Sequence, residues 1–208
     1  MSAPERKRPW YLVVALSLAL ALGTMTAFGG CARFTFYRAP ADAIAAAAPS
    51  REISDDAERA AVEARFQAYL SALDGAKARG WPLSVAALLL GGATVFFAMR
   101  TIGGSRSGRA ALLQLVCAQG VLSPVDAWLM RDVESAELRY QEAAQRVALR
   151  EKGFEKHDVD RWAALVLDAR VPVGIVLHTL GTAFVLVGLT RRRSRDFLDA
   201  AAAAIEER

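Results

Sequence analysis

The stretch VCAQGVLSPVDAWLMR, residues 116–131, decides how this 208-residue chain is built. It is almost apolar enough to lie in a bilayer, yet it carries Gln119, Pro124 and Asp126. Whether it crosses fixes the side on which everything after it lies.

Three other stretches are plainer. Residues 10–31, 81–99 and 171–190 contain no Asp, Glu, Lys or Arg. Each comes close to the roughly 20 residues that carry a helix across a ~30 Å hydrocarbon core. Soluble core helices seldom run that far without a charge, so these three blocks are read as membrane spans.

The charge pattern then sets the expectation for the questioned stretch. The net charge of +4 comes from basic residues beside the apolar blocks: Arg6, Lys7 and Arg8; Arg100, Arg106 and Arg109; Arg191, Arg192, Arg193 and Arg195. That placement belongs to positive-inside anchors rather than to a nucleic-acid surface. With three spans, the C-terminal cluster would fall outside. A fourth span at 110–130 returns all three clusters to one side. Asp126 costs ~3 kcal/mol at the centre of an isolated helix and less near an interface. Pro124 is tolerated where neighbouring helices satisfy the freed backbone groups. The alternative is an amphipathic helix lying on the inner surface.

The expected layout follows: a cytoplasmic N-terminus (1–9), span 1 (10–31), an outer segment (32–80), span 2 (81–99), a basic cytoplasmic loop (100–109), span 3 (110–130), a second outer segment (131–170), span 4 (171–190) and a basic cytoplasmic tail (191–208). The fold class is all-α, a polytopic membrane protein with four transmembrane helices and two amphipathic helical outer segments. Arg exceeds Lys and Ala is abundant, which fits a high-GC bacterium and therefore an inner-membrane location. A lipoprotein alternative cleaves before Cys31, after Gly29 and Gly30, but the apolar run exceeds the 7–15 residues of a signal core. Two cysteines at different expected depths, Cys31 and Cys117, make no disulfide framework.

Outside the spans, residues 33–50 read as an Ala/Pro-rich connector. A helix then starts at a Ser54 cap, with Val62, Phe66, Tyr69, Leu73 and Ala76 on one stripe. Gly80 and Pro82 mark entry to the second span. In the second outer segment Val133, Ala136, Tyr140, Ala143 and Val147 alternate by threes and fours, Gly153 is a stop, and Asp158 caps a return helix. The two narrow apolar seams are expected to pack together. Small residues mark span-to-span contacts: Ser84, Gly91 and Ala98 repeat every seven, as do Gly174, Gly181 and Gly188, and a shift of about 90 residues lays one set on the other.

Few residues carry chemistry. Asp126 and His178 are the ionisable groups within the spans, so each is a functional candidate, with Gln119 and Ser123 on the Asp126 face. Their expected depths are similar, which suggests an Asp–His pair able to relay protons; the plainer role is a hydrogen bond between helices. EKHDVD, residues 155–160, resembles a metal cluster, but capping explains its aspartates and no second cluster completes it. No cofactor motif appears. GGSRSGR, residues 103–109, suits anionic lipid head groups. The expected function is non-enzymatic: a structural or interaction component of the membrane, self-associating or serving a larger complex. The alternative is a small transport or ion-coupled protein using Asp126 and His178.

Overall fold

The computed structural model describes residues 9–39, 53, 55–153 and 156–206, the side chains of 151, 156–172 and 204–206 excepted. The cluster Arg6–Arg8, the connector from residue 40 to 50, Ser54 and Glu155 lie outside the described residues. Six α-helices account for the described elements: α1 (Trp10–Arg38), α2 (Asp56–Ile102), α3 (Arg106–Leu129), α4 (Arg131–Glu151), α5 (Lys156–Thr190) and α6 (Arg192–Glu206). Among the described residues there is no strand. The helices α1, α2 and α3, and the Val173–Thr190 part of α5, are long and apolar enough to cross a membrane.

Helix ends explain where the sequence reading shifts. The helix α1 does not stop with its apolar run at Cys31 but continues to Arg38, because no Pro or Gly occurs between Cys31 and Pro40. The first part of the expected connector is therefore helical. At the start of α2 the cap is Asp55, whose Oδ1 accepts from the amides of Ala57 (2.8 Å) and Glu58 (3.4 Å). An acidic cap followed by Asp56 and Glu58 complements the positive end of the helix. Gly80 and Pro82 do not break α2, which runs through both for 47 residues. Pro82 lacks an N–H, so the helix loses one backbone bond there and is held by its neighbours. The junction of α3 and α4 is a single turn residue, Met130, bridged by Met130 N to Asp126 O (2.9 Å) and Glu134 N to Met130 O (3.0 Å). Gly153 takes φ +84°, a left-handed conformation that ends α4. Asp158 lies inside the first turn of α5 rather than ahead of it, so it does not serve as the cap.

The chain divides into two compact units. The first comprises Met1–Ala32, Ser84–Pro124 and Val176–Arg208, and the second Arg33–Leu83 and Val125–Ile175.

In the first unit the helices run alternately up and down and meet through small residues. A Cβ on Gly91 would collide with the Ala27 amide nitrogen and stand 2.6 Å from the Gly23 carbonyl. One on Gly30 would meet the Leu88 backbone at 2.5 Å. These contacts set α1 antiparallel to α2 at backbone range. Nearer the start of α1, a Cβ on Gly188 would meet Ala15 Cβ at 2.5 Å. Around these crossings sits a core of Leu12, Leu16, Ala98, Leu112, Val185 and Leu189. Tyr11, the turn at residues 103–108 and Arg191 gather at one end: Arg191 lies over the Tyr11 ring, Gly108 abuts Arg100, and Arg106 pairs with Asp199 of α6 at 3.5 Å. Ser194 donates to the Gly188 carbonyl (2.6 Å), tying α6 to the end of α5.

In the second unit the expected stripes are the buried faces. Val62, Phe66, Tyr69, Leu73 and Ala76 of α2 are all buried, as are Val133, Ala143 and Val147 of α4. They meet in two clusters, one around Phe66, Tyr69 and Val133 and the other around Val62, Ala143 and Val147. The Tyr69 and Tyr140 rings stack with centroids 6.2 Å apart. Each buried aliphatic or aromatic side chain stabilises this unit by about 1.5–3 kcal/mol when water is the alternative environment.

Candidate functional site

Asp126 stands one turn before the end of α3, and its carboxylate is held by the guanidinium of Arg33 from the extended part of α1. Arg33 also faces Glu134 on the first turn of α4, at 3.7 Å. One cation thus serves two carboxylates from two successive helices. Tyr37, one turn beyond Arg33, lays its ring over Gly80, where a Cβ would come within 2.5 Å of the ring. Its hydroxyl lies 4.0 Å from Met130 Sδ. Arg33, Tyr37, Tyr69, Met130, Glu134 and Glu137 border a cavity of about 70 Å³, room for a water or two and no organic substrate. Burial, and then the Glu137 carboxylate, raises the Tyr69 phenol well above its ordinary value, and burial raises Tyr140. Both tyrosines therefore stay neutral at physiological pH. The cluster sets one guanidinium between two carboxylates beside an aromatic core.

The other polar candidates lie in the first unit. Gln119 is buried and donates from Nε2 to Thr94 Oγ1 (2.9 Å), joining α3 to α2. Thr94 in turn donates to the Leu90 carbonyl (2.8 Å), so its hydroxyl both gives and accepts. Ser123 is half-buried. His178 belongs to this unit, whereas Asp126 belongs to the second. His178 Nε2 and, one turn on, Thr182 Oγ1 are buried atoms without a hydrogen-bond partner. By contrast Thr26, Thr94, Thr101 and Thr190 all donate to the carbonyl four residues back.

The small-residue positions divide. Ser84, Gly91 and Ala98 are buried. A Cβ on Gly181 would touch Leu22 at 3.4 Å and one on Gly188 would meet Ala15, but a Cβ on Gly174 would find nothing within 4 Å. Gly23 and Gly30 of α1, which periodicity in α2 and α5 does not reveal, supply the matching surface. Arg33 is equally hidden within apparent connector sequence. One signal does point to it: in a four-span chain the first and third spans run the same way, so Arg33 and Asp126 fall near the same depth with opposite charge.

Among the described residues no group of three or more His, Cys, Asp or Glu gathers as a metal set. The side chains of His157, Asp158 and Asp160 lie outside the described part of the chain. Comparison with family models, curated proteins and solved structures yields no match to this chain.

Proposed function

We propose that the chain is an integral protein of the bacterial inner membrane, crossing four times with both termini cytoplasmic, and that it acts as a non-enzymatic structural or interaction component. The observation that carries this reading is the gathering of basic flanks at one end of the first unit: Arg100 and Arg106 from the turn, and Arg191 from the start of the tail. Four antiparallel crossings put these flanks on one face, as the positive-inside tendency requires. The helix surfaces agree. Met25, Phe28, Leu89, Phe96, Val121 and Leu177 are exposed, apolar side chains that lipid accommodates and water does not. Trp10, Trp81 and Trp128 are exposed at the ends of spans, where indole rings favour the interface.

The scaffold role rests on what the polar groups do. Asp126, Gln119 and Thr94 are each engaged by another helix. A second reading, a small ion-coupled transporter, draws on the unpartnered His178 Nε2 and Thr182 Oγ1. It requires that His178→Phe abolish an uptake activity while the fold persists.

Topology is tested by single cysteines at Asp56, Lys152 and Arg192 in a background lacking Cys31 and Cys117. With an impermeant thiol reagent on cells whose outer envelope is permeable, positions 56 and 152 should label and 192 should stay protected until the membrane is opened. Protection of 152 together with labelling of 192 would leave residues 116–131 on the inner surface and overturn the four-span reading.

A further inference from the structure

Resting on the membrane reading above, we infer that the cleft at the turn between α2 and α3 binds the phosphate-bearing head group of an anionic phospholipid. The open cleft has a volume of about 520 Å³ and is bordered by Arg100, Arg106, Ser105, Ser107, Gly103 and Gly104 of the turn and by Ala202 of α6, with no acidic residue in its lining. Two guanidiniums and two hydroxyls supply donors of the kind that grip phosphate oxygens, and Arg does so with a planar fork. Arg106 shares its charge with Asp199 at 3.5 Å. Arg109, on the same turn of α3, has its Nη1 buried without a hydrogen-bond partner but does not line the cleft. A cavity of this size exceeds what a simple ion needs and matches a small head group.

The surface leading to the cleft separates a lipid from a soluble phosphate compound. Leu89, Phe96 and Met99 are exposed on α2, and Gly92 between them faces open space. Positions 89, 92, 96 and 99 follow one another by three and four, so they share a single helix face. That face runs into Arg100, whose guanidinium lies 5.9 Å from the Phe96 ring centroid. The result is a smooth apolar track ending in a basic cleft. A phospholipid fills both at once, its acyl chains along α2 and its phosphate between Arg100 and Arg106.

The test uses the full chain purified in neutral detergent and exchanged into mixed micelles containing phosphatidylglycerol. Retained lipid is counted by native mass spectrometry, with inorganic phosphate and glycerol 3-phosphate as soluble competitors. Replacing Arg100 and Arg106 by Gln should lower lipid affinity about tenfold or more, as expected for loss of charge-assisted bonds. Arg192→Gln with Arg193→Gln removes the same charge from exposed positions outside the cleft and should leave affinity within about twofold, the scatter of a rim charge. Equal losses in both variants, or none in the first, overturn the site. Competition by the soluble phosphates at the lipid's own concentration overturns the lipid assignment in favour of a soluble phosphate ligand. If the Gln pair fails to fold, Arg100→Lys with Arg106→Lys keeps the charge but not the fork. A loss there that the 192/193 control lacks supports the site, and affinity equal to that control overturns it. Extraction of the chain from membranes by alkaline carbonate would refute the membrane reading itself. Retention in the membrane with lipid binding indifferent to Arg100 and Arg106 refutes the site alone.

Discussion

Asp126 is, by sequence, the costliest residue in the chain, a carboxylate within an apolar stretch. Its pairing with Arg33 changes what it does. The two side chains are 21% and 46% exposed; at the outer end of the proposed span water and ions reach such a pair and make its worth modest. Removing the carboxylate by Asp126→Asn leaves Arg33 with Glu134 at 3.7 Å as a remaining counter-charge. We expect a loss of roughly 1 kcal/mol, the upper range of exposed pairs, rather than the 3–5 kcal/mol of a buried pair broken on one side. Denaturant unfolding in detergent, followed by tryptophan fluorescence, measures it. A double-mutant cycle with Arg33→Gln should recover most of that loss as coupling. A cost near zero would mean the clamp is incidental; a cost above ~3 kcal/mol would mean the carboxylate is shielded from water to the degree a relay site needs.

On the membrane reading proposed above, helices in the first unit are held by close approach rather than by expulsion of water, since in lipid the apolar side chains have no water to escape. Gly91 and Gly92 separate the two effects within one dipeptide. A methyl group on Gly91 would collide with α1 backbone at the Ala27 nitrogen and the Gly23 oxygen, and no side-chain rotation relieves that. A methyl group on Gly92 would meet nothing. Gly91→Ala should therefore cost on the order of 2–3 kcal/mol by overpacking, while Gly92→Ala should stay within about 0.5 kcal/mol. Unfolding of the two variants in detergent distinguishes them; equal behaviour would mean that α1 and α2 do not meet here. The four long apolar helices and the two buried stripes of the second unit are legible in the sequence because each follows from a one-dimensional pattern: length of an uncharged run in one case, helical period in the other. The continuation of α1 to Arg38 is not, since Ala and aromatic residues after Cys31 suit a connector as well as a helix. Nor is the Gln119–Thr94 bond, because period within one helix cannot name a partner on another; the Arg33–Asp126 clamp is signalled only by matched depth and opposite charge, not by period.

At the scale of the whole chain, both units are built jointly by its two halves. The unit boundaries fall after Ala32 and Pro124, and again after Leu83 and Ile175, so the chain passes from the first unit to the second and back twice. Each half contributes a hairpin to the first unit, α1 touching α2 at Gly23 and Gly91 and α3 touching α5 at Gly120 and Thr182. The contacts that close each unit run between hairpins: Gln119 to Thr94 in the first, Arg33 to Asp126 and Glu58 to Arg150 (2.5 Å) in the second. The link between the hairpins, by contrast, is a short turn with Gly104 at φ +85°, held by local backbone bonds such as Ser105 N to Arg100 O (3.2 Å). Cutting there removes little beyond the tether and its effective concentration. Residues 1–103 and 104–208, expressed together with different affinity tags, should therefore be inserted separately, pair in the membrane and copurify. Either fragment alone exposes half of the Phe66–Tyr69–Val133 cluster and should be degraded. Fragments that accumulate alone and fail to copurify would show that each hairpin is self-sufficient and that the shared cores contribute little. Fragments that copurify, but lose association when Val62 and Val147 are both changed to Asp, would place the joining energy in the second unit, where water makes apolar burial effective, and not in the lipid-facing bundle.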